Sequence, residues 1–239
     1  MAFSMRNLGP LALAGTLAVG MGWGVMFNAG PAAAEKGVRV PVPAVASPQP
    51  SAARETAVFA GGCFWGVQGV FQHVNGVTSA VSGFTGGNQG DAHYERVSNG
   101  DTGHAEAVRV TYDPRRITYG QLLRIYFSVA HDPTELNRQG PDSGTQYRSA
   151  IFPADAAQRR VAEGYIAQLN GSGVYPAPIV TRTDPLAGFY PAEAHHQDYL
   201  ALHPSDAYIA RNDVPKVQAL KRMFPDQYQD RPALVNARP

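Results

Sequence analysis

Residues 56–74 read TAVFAGGCFWGVQGVFQHV, and the change of pattern within them fixes the organisation of the chain. Thr56–Ala60 is an apolar run of strand length that breaks at Gly61-Gly62. Beyond the break, Phe64, Val67, Val70, Phe71 and Val74 recur at helical spacing. Cys63 therefore stands where a strand, a double-glycine turn and a helix N-terminus meet. Unpaired N–H groups and the helix dipole at such a point stabilise a thiolate, and glycines let other groups approach the sulfur. Phe64 and Trp65 would set apolar walls beside it. The competing reading is a buried cysteine that packs as a small, inert hydrophobe.

The pattern downstream continues to mix strands and helices. Val77–Phe84 reads as a strand running into a glycine-rich loop at residues 86–90. In Ala105–Tyr112, Glu106, Val108, Val110 and Tyr112 share one face, and Ala105, Ala107, Arg109 and Thr111 the other. The valine and tyrosine face is the expected core face, so Glu106 either ends its strand at the surface or is buried with a raised pKa. Tyr119–Ala130 is expected to be helical, His131–Thr145 a loop, Gln146–Phe152 a strand, Ala154–Leu169 a helix, Pro178–Thr183 a strand and Ala192–Leu202 a final helix. Without regular β-α-β-α alternation, these elements predict helices packed on a mixed sheet, an α+β fold.

Composition bounds the rest. The chain has 239 residues, with 20 Lys plus Arg against 19 Asp plus Glu, a formal charge of +1 that gives no electrostatic case for nucleic acid. Its one cysteine excludes an internal disulfide, a zinc ribbon and an iron–sulfur cluster held by cysteines. Residues 1–34 read as a signal peptide or N-terminal anchor: Arg6 precedes an uncharged apolar run, Leu8–Phe27, and Ala32–Ala34 supplies an A-x-A cleavage signal. An exported protein is therefore expected, most simply one of a bacterial periplasm. Residues 35–55 alternate prolines with small residues and read as an extended linker. Residues 56–211 form the expected domain, and 212–239 a polar extension with one amphipathic stretch, Lys216–Phe224, that docks on its own domain or on a partner.

Other chemistries fail on spacing. His104-Ala105-Glu106 has the H-x-E form of zinc deaminases, but no P-C-x-x-C follows. His195 and His196 are adjacent and cannot act as i, i+4 metal ligands on one helix face. Neither a P-loop nor a G-x-S-x-G elbow occurs.

Four segments stand in order: Gly61–Gly66 (GGCFWG), Tyr94–Glu106 (YERVSNGDTGHAE), Gln139–Ser149 (QGPDSGTQYRS) and His196–Tyr199 (HQDY). Together they resemble the type A peptide methionine sulfoxide reductase family, over roughly residues 56–204. The resemblance implies a mixed sheet with flanking helices, a two-layer ferredoxin-like sandwich with additional helices and loops. It implies Cys63 as nucleophile, and Phe64 and Trp65 as the pocket for the substrate's S-methyl group. Glu106 corresponds to the acid that protonates the sulfoxide oxygen, Tyr94 and Tyr147 to the phenols that hold it, and Asp142 to an orienting carboxylate. His196 and Tyr199 correspond to a supporting network around the substrate. The implied reaction reduces the S epimer of methionine sulfoxide and leaves a sulfenic acid on Cys63.

Many members of that family recycle the thiol with further cysteines near the C-terminus. The tail here has none, and Ser98 stands where some relatives carry an extra cysteine. An external thiol is therefore expected to reduce Cys63, either a thioredoxin-like protein or a small thiol such as glutathione, with no tightly bound cofactor or metal and a monomeric enzyme. The rival readings are a non-catalytic redox-sensing module and a thiol peroxidase on the same scaffold.

Overall fold

The computed structural model describes residues 37–47, 49–50 and 52–235. The apolar run at 8–27 and the A-x-A signal lie outside the described residues. The core is one mixed sheet. Strand β1 (Glu55–Ala60) leads through the double-glycine turn into helix α1 (Phe64–Gln72), followed by β2 (Val77–Thr85), the short helix α2 (Tyr94–Val97) and β3 (Ala105–Tyr112). Helix α3 (Tyr119–Ile125) begins at a capping box, in which Thr118 and Gln121 bond each other's backbone, and passes into a π-helical segment, Tyr126–Ala130. The two-residue pair β4 (Arg138–Gln139) and β5 (Asp142–Ser143) precedes β6 (Ala150–Phe152) and helix α4 (Ala156–Ser172). Strands β7 (Arg182–Thr183) and β8 (Tyr190–Pro191) lead to helices α5 (Tyr199–Leu202), α6 (Ala207–Asn212) and α7 (Val214–Met223).

The main sheet runs β7-β6-β1-β3-β2-β8, with β6 and β7 parallel and the other neighbours antiparallel. Side-chain alternation divides its two faces. Ala57, Phe59, Val108, Val110, Tyr112 and Ile151 join Val67, Val70 and Phe71 of α1 and Val161 and Tyr165 of α4 in the principal core. The opposite face carries Val58, Ala60, Ala105, Ala107, Ala150 and Phe152, covered by Leu186 and Phe189. The sheet with its principal helices on one face is the expected α+β sandwich, and the predicted facing of Ala105–Tyr112 is the observed one.

Five segments differ from expectation, the first being the strand expected at Pro178–Thr183, which is reduced to Arg182–Thr183 because Val180 N donates to Pro133 O at 2.8 Å outside the sheet. The described part of the 35–55 linker is docked, not free: Val40 is 1% exposed within the core. Val38 N donates to Ser128 O at 2.7 Å, and Gln168 bonds Val42 O and Ala44 N at 2.9 and 2.7 Å. Proline holds this strip extended, so Val40 can reach the core while the strip's backbone bonds the domain. The domain likewise continues past Arg211, because Ala219, Leu220 and Phe224 of the amphipathic stretch bury against it and Gln229 N donates to His73 O at 2.8 Å. The expected strand Gln146–Phe152 is reduced to Ala150–Phe152, since Arg148 turns inward to bond the carbonyls of Gly103 and His104. The expected helix Ala192–Leu202 is broken at Asp198 (φ 61°), whose amide donates to Gln68 Oε1 at 2.9 Å and whose carboxylate accepts from Gln72 at 2.6 Å.

Candidate active site

Cys63 caps the N-terminus of α1 directly after Gly62, which sits at φ +85°. Only glycine fits there: a Cβ would meet the Gln139 side chain at 2.5 Å as well as adopt a strained backbone. Gln139 is itself fixed by Asp132, whose amide it accepts at 2.6 Å. The sulfur is largely enclosed, with Cys63 8% exposed. Burial, then the charges of Glu106 and Asp213, pushes the thiol well above its usual range, while the hydrogen bond from the Trp65 amide opposes them. The helix terminus therefore does not hold a thiolate at rest; the enclosed cysteine is a neutral thiol at pH 7.

Glu106 faces the core side of β3 beside Phe84 of β2 and is 3% exposed. Its Oε2 accepts the Phe64 amide at 2.9 Å, so it reaches the first turn of α1 next to Cys63. Burial, against that amide and with further help from Asp142 and Asp213, pushes Glu106 up to about 8. Of the two readings open in the sequence, the buried carboxyl is the one observed, and its burial favours the protonated form at pH 7. Its proton makes it a donor at neutral pH.

The remaining predicted groups converge on this pair. Tyr94 opens α2, Tyr147 lies in the turn 145–147, and Asp142 lies on β5. Burial raises the Tyr147 hydroxyl pKa, as do Glu106, Asp142, Tyr94 and Cys63 around it. Burial also raises Tyr94, with Glu106 and Cys63 adding to it. Both phenols are protonated donors beside the acid. Asp142 accepts the hydroxyl of Tyr208, and burial lifts its pKa against that bond.

An aromatic wall closes the other side. Phe64 lies 5.7 Å from Phe84 and 5.4 Å from His196 between ring centres. Trp65 stacks on Tyr199 at 4.0 Å and 12°, with Tyr208 edge-on at 6.2 Å. His196 packs 4.2 Å from Tyr94, its pKa lowered by burial, and neither ring nitrogen has a hydrogen-bond partner. It serves here as a neutral ring that holds Tyr94, Phe64 and Trp65 together. All nine residues singled out in the sequence thus surround one place.

Three neighbours escaped the sequence reading: Tyr208, Asp213 and Lys216, all near the end of the chain. Tyr208 reaches Asp142 across the site. Asp213 and Lys216 form a buried ion pair, Nζ to Oδ1 3.0 Å, against Gly66 of α1. The i, i+3 spacing of an acid and a lysine at the start of the amphipathic stretch was the available signal, with Asp213 just before it, but that spacing also describes any solvated helix face. Among the described residues no group of three or more His, Cys, Asp or Glu is arranged to hold a metal ion.

The chain is similar to known proteins over most of its described residues. The family model for peptide methionine sulfoxide reductase matches residues 55–228. A peptide methionine sulfoxide reductase MsrA 2 of Mesorhizobium japonicum is 62% identical over 181 residues, covering 76% of this chain and 93% of the relative. One from Synechocystis is 48% identical, covering 74% and 81% of the two chains. Among solved structures, reduced Mxr1 of Saccharomyces cerevisiae superposes with a TM-score of 0.61 at 30% identity, over 69% of this chain and 94% of that one. Methionine sulfoxide reductase A of Corynebacterium diphtheriae gives 0.55 at 34% identity, over 72% and 88%.

Proposed function

The chain belongs to the peptide methionine sulfoxide reductase family, and on that premise we propose that Cys63 is its nucleophile, Glu106 its general acid, and the S epimer of methionine sulfoxide its substrate. The enzyme is an oxidoreductase that reduces methionine sulfoxide through a cysteine and draws its electrons from an external thiol. With one cysteine in the chain, no internal disulfide can form during the cycle.

A sulfoxide combines a polar S–O group with a small apolar methyl. Phe64 and Trp65 receive the methyl, and Glu106, Tyr94 and Tyr147 receive the oxygen. Proton donation by Glu106 makes the substrate sulfur electrophilic. The Cys63 sulfur attacks it, the thiol proton restores the Glu106 carboxyl, and the S–O bond breaks as the oxygen passes to Cys63. Methionine leaves, and Cys63 remains as a sulfenic acid. One external thiol condenses with it to release water and form a mixed disulfide; a second cleaves that bond and regenerates Cys63. Asp142, bonded by Tyr208, orients the donors, and His196 and Tyr199 support the wall.

The observation that carries this reading is a buried carboxyl, Glu106, bonded to the first turn of the helix that Cys63 caps, where burial favours its protonated form. Peroxide reduction and redox sensing require neither that acid nor a methyl pocket. We place the enzyme outside the cytoplasm, as the uncharged run at 8–27 suggests, acting on accessible methionine sulfoxide of oxidised proteins. Its reductant there is a thioredoxin-like protein or a glutathione-type thiol.

The test is a single turnover of reduced, desalted protein with each epimer of methionine sulfoxide. One equivalent of methionine from the S epimer alone, with a sulfenic acid trapped on Cys63, supports the assignment. Equal yield from the R epimer overturns the stereochemistry, and no yield from either overturns the function.

A further inference from the structure

Asp213 and Lys216 do not behave as an ordinary surface pair. Asp213 is 0% exposed and Lys216 6%. They lie against the first turn of α1: a Cβ added to Gly66 would meet Asp213 Oδ1 at 2.1 Å and Lys216 Nζ at 3.0 Å. Asp213 Oδ1 accepts from Lys216, but its Oδ2 is buried with no hydrogen-bond partner. Burying an ion pair costs free energy that apolar residues of similar size would avoid, so stability alone is a poor reason for one here. Leaving one oxygen unbonded raises that cost.

What surrounds the pair gives a better reason. The groups acting on Cys63 include the carboxyls of Glu106, Asp142 and Asp213. When the external thiol cleaves the mixed disulfide, the electron pair of the S–S bond goes to the Cys63 sulfur before that sulfur takes up a proton. A buried anion formed among carboxyls needs a cation near it. Lys216 Nζ would stand 3.0 Å from a Cβ on Gly66, one helical turn beyond Cys63, and burial, which disfavours its ammonium, is outweighed chiefly by Asp213.

We propose that the Asp213–Lys216 pair, packed on the first turn of α1, sets the charge balance at Cys63: Lys216 is the countercharge for the sulfur when it becomes a thiolate, and Asp213 holds Lys216 in place while moderating its pull. Both are positioning residues that act through Cys63. The proposal rests on the reading of Cys63 as the reacting group, but it concerns the ionisation of that sulfur and not what the sulfur attacks.

Alkylation of the reduced, full-length protein by iodoacetamide across pH tests it, because one cysteine reports the whole signal. Lys216→Met is expected to raise the pH of half-maximal rate by about one unit, and Asp213→Asn to lower it by about one unit. The double variant, which removes both charges, returns close to the parent. Opposite shifts are the signature of charge, since loosened packing moves both single variants the same way. Two shifts of one sign, or none, overturn the proposal. If Lys216→Met does not fold, Asp213→Asn against the double variant still decides it: removing Lys216 must move the midpoint back up, and an unchanged midpoint is the contrary result. Sulfoxide turnover of the parent is measured separately, so failure of the catalytic reading remains distinct from failure of this one.

Discussion

The Phe64 amide donates to Glu106 Oε2 at 2.9 Å. This bond ties the residue after Cys63 to β3, one of the two central strands of the sheet, and so fixes the proposed acid relative to the proposed nucleophile through the backbone. A backbone N–H favours the ionised carboxylate, yet burial outweighs it and Glu106 titrates at about 8. The carboxyl is held by an oriented donor while burial keeps its proton on it.

Activity should therefore fall as Glu106 loses that proton. The rate of methionine formation in a single turnover is expected to decline above about pH 8, approaching tenfold per pH unit. Glu106→Gln keeps an acceptor for the Phe64 amide but has no proton to give, and should slow turnover by roughly 10²–10⁴-fold and remove this alkaline limb. A variant that kept the limb would assign it to another group.

The same residue has a stability signature of the same direction. Glu106 titrates at about 8 when folded and near 4.5 when free, so between these values the folded state binds more protons. Stability contributed by the neutral folded carboxyl is thus lost as pH rises through that window. Relative to Glu106→Gln, the parent should lose about 1.4 kcal/mol per pH unit there and level off above it. Urea midpoints of both proteins from pH 4 to 9 measure the difference; parallel curves would mean an ionised Glu106.

Legibility in the sequence followed locality. In Ala105–Tyr112 the strand and its core face followed from side-chain direction, but direction alone left Glu106 open between a surface strand end and the buried site it occupies. The passage from strand to glycine turn to helix around Cys63 was equally local. Asp198 could not be read this way: its left-handed backbone is stabilised by Gln68 and Gln72 on α1, far away in sequence. The bond between Tyr208 and Asp142 spans 66 residues and leaves no periodic trace. The N-terminal strip misled through composition, because proline suggests a free tether even where a single residue such as Val40 fills the core. The places of Cys63 and Glu106 were therefore legible, and those of Tyr208, Asp213 and Lys216 beside them were not.

Residues 37–47 should contribute measurably to stability. A chain beginning at residue 52 loses the burial of Val40, about 1.5–3 kcal/mol. It also leaves Tyr165 Oη without Pro41 O, its acceptor at 2.5 Å, and Arg124 Nε without Val40 O at 3.0 Å. Compared with a chain beginning at residue 36, its thermal midpoint is expected to drop by several degrees, at about 2–4 °C per kcal/mol for a domain of this size. Equal midpoints would restore the free tether.

Gly66 and Gly69 offer a matched contrast within α1. Alanine at either position gains about 1 kcal/mol of helix propensity, and on propensity alone both substitutions stabilise. Their surroundings differ. At Gly69 the nearest atom to a new Cβ is Leu200 Cδ1 at 2.6 Å, the end of a flexible side chain that can rotate away. At Gly66 it is Asp213 Oδ1 at 2.1 Å, on a short side chain paired with Lys216. Gly66→Ala must push that pair from its place, with an overpacking cost of about 1–3 kcal/mol. It should therefore melt below Gly69→Ala and also shift the pH of Cys63 alkylation, which Gly69→Ala should leave unchanged. A Gly66→Ala protein melting above the parent, with its thiol titration unmoved, would show that the buried charges do not press on the first turn of the Cys63 helix.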